Sequence, residues 1–216
     1  MGDGSQDDDD LAAGAFSSWV TGMQAAIRGE RDSEVPCHGC TACCTSSQFV
    51  HISPDETDAL DHIPAELLFP APQRPSGHVL LGYDDRGHCP MLVNGRCSIY
   101  EHRPRACRTY DCRIFPATGV VPAGAERAAV ARRARRWRFS FPGRADVVAL
   151  EAVRAATTFL GAHGDLAPGG GGGGGGVTRL AVLAIEVHDT FVGNDPDTGD
   201  PTVIAPDPTV VADRLR

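Results

Sequence analysis

Four of the chain's eight cysteines fall within the stretch CHGCTACC, Cys37 to Cys44. The spacing is C-x2-C-x2-C-C, carried by Cys37, Cys40, Cys43 and Cys44. Thiols this crowded oxidise or capture metal, so they constrain the local fold more than any other feature does. On one continuous helix the four side chains would share an arc of about 120°, yet Cys37 and Cys44 would stand about 10 Å apart along the axis. Four sulfurs on one zinc ion lie only about 3.8 Å from one another, because each Zn–S bond is about 2.3 Å. A straight helix therefore cannot close such a site. The stretch must wrap as a loop, divide its thiols between centres, or share a centre with cysteines elsewhere. Gly39 fits the loop, since a glycine inside a C-x2-C knuckle turns without steric cost. Cys43 and Cys44 are adjacent, so their side chains are expected to diverge, which suits two centres better than one.

The other four, Cys89, Cys97, Cys107 and Cys112, follow as C-x7-C-x9-C-x4-C. Whether such thiols are ligands or disulfides turns on the compartment. The N-terminus, MGDGSQDDDD, is acidic where a secretory signal begins basic and continues apolar. No apolar run approaches the roughly 20 residues of a membrane helix. The expectation is a cytoplasmic protein, where cysteines in this pattern are metal or redox groups and not a disulfide framework. Idle thiols, buried as small hydrophobes, are the bland alternative and suit this density poorly. Cysteine ligation selects zinc or iron over the hard-oxygen metals. C-x2-C-x2-C echoes the first three ligands of a [4Fe–4S] ferredoxin site, and Cys89-Pro90 its closing Cys-Pro. Zinc needs only paired cysteines, so both metals stay open, an iron–sulfur cluster included.

The formal net charge of −8 gives no global electrostatic case for nucleic acid. One stretch, AERAAVARRARRWRF, is locally basic. On a helical wheel Val130, Ala134 and Trp137 share a face and arginines cover most of the rest. Such a helix docks by its apolar stripe and offers a cationic exterior to an acidic partner, the N-terminal tail being one candidate. There is no G-x-S-x-G, no H-E-x-x-H and no P-loop. The Gly169–Gly176 run lacks the strand and Lys-Ser/Thr of a phosphate loop and reads as a flexible linker.

Residues 1–30 read as an acidic tail and an N-terminal helix over Leu11–Ile27. Residues 31–116 form the cysteine-cluster domain. Residues 117–192 are a helical region packed on that core, with helices at 125–138, 145–162 and 177–192, the glycine linker (169–176) dividing the last two. The Pro- and Asp-rich 193–216 segment reads as a disordered tail. Within the cysteine domain, SPDE (Ser53–Glu56) and SIYE (Ser98–Glu101) have the form of capping boxes. Asp85-Arg86-Gly87 marks a turn and Asn94-Gly95 a tight hairpin.

CHGCTACC followed by CPMLVNGRCSIYEHRPRACRTYDCR resembles the CxxCxxCC family of bacterial cysteine-cluster domains, which are described as zinc- or iron-chelating. The likeness covers about Cys37 to Arg113, a third of the chain. It implies metal held by Cys37, Cys40, Cys43, Cys44, Cys89, Cys97, Cys107 and Cys112. A related domain occurs in flagellin lysine N-methylases; this chain shows no added catalytic domain, so that activity is not carried over. Around the motif, Arg103, Arg105, Arg108 and Arg113 are placed to offset thiolate charge or to donate to sulfur. Tyr100 and Tyr110 are candidates to cover the site, and His38, His88, His102 and Asp111 are alternative ligands. The expected fold is α+β: a small, irregular, metal-organised cysteine-rich core with several flanking α-helices. The expected function is metal binding through thiolates, with an iron–sulfur redox or catalytic accessory role as the alternative. The metal ion is the one partner expected, with neither nucleic acid nor membrane and any protein partner unspecified.

Overall fold

The computed structural model describes residues 10–33, 35, 39–166 and 176–216. Cys37, His38, the acidic residues 1–9 and glycine-run residues 169–175 lie outside the described residues. In chain order the first elements are β1 (Leu11–Ala15), α1 (Phe16–Ile27), β2 (Val50–Ile52), α2 (Thr57–Asp61), β3 (Leu68–Pro70) and β4 (Val79–Leu81). Next come β5 (Leu92–Val93), β6 (Arg96–Cys97), α3 (Arg105–Thr109), α4 (Ile114–Thr118), α5 (Ala128–Arg135) and β7 (Trp137–Ser140). The last are α6 (Arg144–Ala162), α7 (Gly176–Val187), β8 (Val192–Asn194), β9 (Pro201–Val203) and α8 (Pro208–Arg214). The fold is α+β: among the described residues, helices with four small sheets, β1–β7, β2–β4–β3, β5–β6 and β8–β9.

The chain divides into two compact units. A helical unit takes the residues up to Glu30, Cys112–Pro122 and Arg133–Arg216; a cysteine unit takes Arg31–Asp111 and Ala123–Arg132. The units are thus discontinuous in sequence, where consecutive segments were expected.

In the helical unit, α6 and α7 bury Ala152, Ala156, Leu160, Ala184 and Val187, joined by Phe191 and Val211. Small alanines on facing helices let the backbones approach and the larger side chains fill the gaps between them. A second focus is aromatic. Phe16 meets Phe139 edge-on at 4.9 Å and Trp19 at 5.5 Å between ring centroids. The Arg113 guanidinium is buried over Trp19 and Trp137, and its Nη1 donates to the Ala13 carbonyl at 3.2 Å. Asp146, in the first turn of α6, accepts from the Ser17 amide at 2.9 Å, the Ser17 hydroxyl at 2.7 Å and the Gly143 amide at 3.0 Å. One carboxylate thereby satisfies the starts of α1 and α6 together.

These donors, the Ser17 hydroxyl first, hold the Asp146 carboxyl below the usual range. A depressed folded-state pKa stabilises above the unfolded value of about 3.9, and that contribution is lost as pH falls through the folded value. Asp146→Ala is therefore expected to lower the urea midpoint at pH 7. The gap to wild type should narrow progressively once pH falls below about 4. A gap that stays constant down to pH 2 would show that the carboxylate charge is not what joins the two helices.

The segments expected as one helix each at 11–27 and 125–138 both give up an end to β-structure. Leu11 pairs with Trp137 and Ala15 with Ser140 in a parallel ladder, with an irregularity at Gly14 (φ 88°). Helical periodicity begins only at Phe16, and α5 stops before Trp137 because that residue's strand has a partner 126 positions away. Val130, Ala134 and Trp137 are nonetheless all buried, as the apolar stripe requires. Of the acidic end, the described Asp10 pairs with Arg138 at 2.9 Å.

The 193–216 segment, expected as a disordered tail, is structured. Asp195 accepts from the amides of Asp197 and Thr198 to close the β8–β9 turn. Asp207 caps α8 through the Thr209 amide at 2.8 Å, with Pro208 in the first turn. The Asp and Pro residues are turn and cap chemistry, and Val211 anchors the segment in the core at 0 % exposure.

The cysteine unit has a small apolar core of Ile52, Ile63, Leu81, Met91 and Ile99, with Cys89 and Cys97 packed against it. The antiparallel sheet β2–β4–β3 supplies one side. Asn94 and Gly95 have φ of 51° and 73° and make the two-residue turn of β5–β6, as their sequence predicts. The two capping boxes are only partly made. The Ser53 amide donates to Glu56 Oε1 at 2.9 Å, but α2 starts later, at Thr57. Ser98 Oγ donates back to the Met91 carbonyl at 3.1 Å and caps nothing; a 3-10 turn over Tyr100–His102 follows.

Candidate metal centre

From Gly39 on, the cysteine stretch is a loop, one of the arrangements its spacing allows. Gly39 has φ of 70°, and a single 3-10 turn spans Cys43–Thr45. Its fixed point is the Cys44 carbonyl, which accepts from the Cys89 amide at 2.7 Å. A further bond joins the Ser47 amide to the Gly87 carbonyl at 2.9 Å. These bonds bring the first cysteine group beside the second. Cys97 sits on β6, held opposite Leu92 by the hairpin. Cys107 sits on α3, whose start is set by Pro104.

The result is a pocket of about 420 Å³ lined by Cys40, Cys43, Cys44, Cys89, Cys97 and Cys107. Leu81, Met91, Ile99 and Pro104 form apolar wall; Arg96, Arg103, Tyr100 and Tyr110 complete it. A smaller adjoining pocket shares Cys43, Cys44, Cys89 and Cys107 and opens towards Phe49. The Cys43 and Cys44 sulfurs are 4.0 Å apart. Their side chains do not diverge, contrary to expectation, because the 3-10 turn brings both to one side. Among the described residues no three cysteine sulfurs lie within 4.8 Å of one another, so the thiols line a space wider than one coordination sphere.

Electrostatics tie the thiols together. Hydrogen bonding to Cys44, then burial, drives the Cys43 thiol far above its ordinary range. Burial, then the neighbouring Cys43, Cys89 and Cys97, pushes Cys107 up to about 12, while Arg103 acts the other way. Burial likewise raises Cys89. Thiolates that repel one another in an apolar wall are what a bound cation relieves.

The other motif residues separate by role. Arg103 lies over the Tyr100 ring at 3.7 Å and beside the thiols. Arg108 braces the loop: Nε donates to the Arg103 carbonyl at 3.0 Å and Nη1 to Asp32 at 2.9 Å. Arg105 pairs with Asp55 at 3.0 Å, and its amide donates to Glu56. Asp111 is buried and accepts from Ser33 Oγ at 3.0 Å, a structural role. The His88 amide donates to Asp84, closing the turn around Gly87. Arg113 and Cys112 belong to the helical unit. Cys112 Sγ accepts from the Trp137 indole at 3.1 Å and is not in the lining of the thiol pocket. Sequence reasoning did not single out Arg96 or the apolar wall. The signal was present: Met91 and Ile99 flank the Asn94-Gly95 hairpin, whose pairing places both beside Cys97.

A loop-wrapped set of thiols, electrostatically coupled and walled by apolar residues, defines a cysteine-cluster metal-binding domain. Residues 36–130 match the sequence model of the CxxCxxCC family, described as a "Putative zinc- or iron-chelating domain". Neither the curated proteins nor the solved structures contain a match to this chain. The donor set suits the metals in that description, because neighbouring soft thiols select zinc or iron. Among the described residues no helix is long and apolar enough to cross a membrane.

Proposed function

We propose that the cysteine unit binds zinc or iron through thiolates drawn from Cys40, Cys43, Cys44, Cys89, Cys97 and Cys107. The convergence of these six on one pocket carries the reading. Cys37 joins them on its C-x2-C spacing to Cys40. Cys112 is set apart, since its sulfur serves the Trp137 indole in the helical unit. Arg103 offsets the negative charge that thiolates leave around a dication, and Tyr100 and Tyr110 limit water. Reduced thiols of this kind suit a reducing compartment such as the cytoplasm.

A second reading is an iron–sulfur cluster serving redox or accessory chemistry. It is favoured by a thiol pocket of about 420 Å³, more space than one ion occupies. Anaerobic purification followed by iron, zinc and acid-labile sulfide analysis separates the two. A colourless protein with stoichiometric zinc supports the first; brown protein with matching iron and sulfide supports the second. Protein that folds yet holds neither metal, and takes up neither on reconstitution, sinks both. Cys112→Ser is expected to keep full metal content, while Cys43→Ser/Cys107→Ser loses it. Metal loss from Cys112→Ser would return that residue to the ligand set.

A further inference from the structure

We propose that Asp58, His62 and His102 form a second metal site, of nitrogen and oxygen ligands, for a borderline divalent transition-metal ion. They are the one group of three or more His, Cys, Asp or Glu ligand atoms, among the described residues, that lie within 4.8 Å of one another. The arrangement comes from two separate parts of the cysteine unit. Asp58 lies on α2 and His62, four residues on, is the cap residue that ends it in a helical conformation, so their side chains share a face. His102 ends the 3-10 turn after β6 and reaches the same face.

Both imidazoles turn Nδ1 towards Asp58. His102 Nδ1 lies 3.0 Å from each carboxylate oxygen, and His62 Nδ1 lies 3.8 Å from Oδ1. The rings are stacked, with centroids 3.5 Å apart and planes 5° from parallel. In that pose each Nδ1 faces an oxygen acceptor and carries the ring proton, so binding an ion there moves that proton to Nε2 or releases it. Converging on an ion requires the His62 ring to swing away from the Asp58 carbonyl, to which Nδ1 is 2.8 Å. Side-chain exposures of 42 % for His62, 39 % for His102 and 70 % for Asp58 leave room for that rotation.

Two imidazoles and one carboxylate are the donor set of borderline divalent ions, and three ligands leave positions for water. The site differs in kind from the thiol pocket. It is exposed, harder, and built to exchange its ion with solvent. An ordinary surface His–Asp contact is the rival account, and such contacts contribute little. It accounts for each Nδ1 singly, His102 on the carboxylate and His62 on the Asp58 carbonyl; what marks this cluster is that three ligand atoms from two separate segments lie within 4.8 Å of one another.

Cobalt(II) titration of the full chain under anaerobic conditions tests the proposal, with bound cobalt counted by equilibrium dialysis. Wild type is expected to bind about one equivalent more than Asp58→Asn/His62→Gln/His102→Gln. Each single histidine variant should weaken that equivalent by about tenfold or more, as loss of a metal-orienting group does. Thiolate-to-cobalt charge-transfer absorption should be the same in wild type and variants. Equal stoichiometry and equal affinity in all of them would overturn the site. The cysteine reading fails separately: its failure removes the charge-transfer band from every protein and leaves the one-equivalent difference. Circular dichroism melts confirm that the exposed substitutions leave the fold intact, and cobalt broadening of the His62 and His102 ring resonances in wild type gives a second, variant-free readout. Absence of that broadening at saturating cobalt also overturns the proposal.

Discussion

Stripping the metal is expected to unfold residues 31–111 while the α6–α7 core stays folded. The cysteine unit has little else to hold it. Its apolar core is Ile52, Ile63, Leu81, Met91 and Ile99, and its strands are two or three residues long. Each buried side chain of this type contributes only about 1.5–3 kcal/mol, while ordering the backbone opposes folding by about 1–2 kcal/mol per residue. Structural zinc in small thiolate sites contributes on the order of 10–16 kcal/mol. Removing the ion also leaves the half-buried Cys43, Cys89 and Cys107 as neutral thiols, with only a few backbone hydrogen bonds and the small apolar core to hold the loop against the hairpin. Hydrogen exchange followed by peptide mass spectrometry, before and after treatment with a strong chelator, checks this. Peptides from 40–111 should lose protection, and peptides from 145–162 and 177–187 should keep it. If metal loss is confirmed and the 40–111 peptides are unchanged, the apolar core and loop hydrogen bonds suffice alone.

The second large effect lies in the other unit. Phe16→Ala is expected to destabilise the protein by about 3–5 kcal/mol, the range for truncating a fully buried aromatic. Phe16 is 0 % exposed and its ring touches three others: Trp19, Phe139 and Phe141. The side chain starts α1 and packs on β7, so its removal leaves a cavity where the β1–β7 ladder meets the helix. Chemical denaturation monitored by tryptophan fluorescence reads the loss, since Trp19 and Trp137 both belong to this unit. Metal content should be unchanged. A loss below about 1 kcal/mol would mean that the neighbouring rings collapse into the space.

Much of the cysteine chemistry is legible in the residues and their spacing. Spacing alone shows that a straight helix over Cys37–Cys44 cannot close a four-thiol site, and the described part, from Gly39, is a loop with a 3-10 turn. Asn94-Gly95 announces its hairpin because only positive φ at both positions closes so short a turn. The helices expected at 145–162 and 177–192 are met by α6 and α7, the second ending at Val187. Wherever chemistry is dictated by neighbours along the chain, the sequence suffices.

What it could not show depended on residues far apart along the chain. Helical pattern at Leu11–Ala15 and at Trp137 gave way to a parallel ladder between them, a pairing that neither segment reveals by itself. The Asp- and Pro-rich end has the composition of a disordered tail, yet Asp195 and Asp207 are turn and cap residues and Val211 has a core to enter. Cys112 is indistinguishable from its fellows in the motif, yet the Trp137 indole takes its sulfur. Asp58 and His62 meet His102 only once α2 and the turn after β6 are placed together. The sequence by itself determined that soft sulfur donors crowd this stretch and that the chain turns at Asn94-Gly95, because those follow from side-chain chemistry and local sterics. The tertiary structure alone decided which thiols share a pocket, because that depends on bonds such as the one from the Cys89 amide to the Cys44 carbonyl, 45 residues apart.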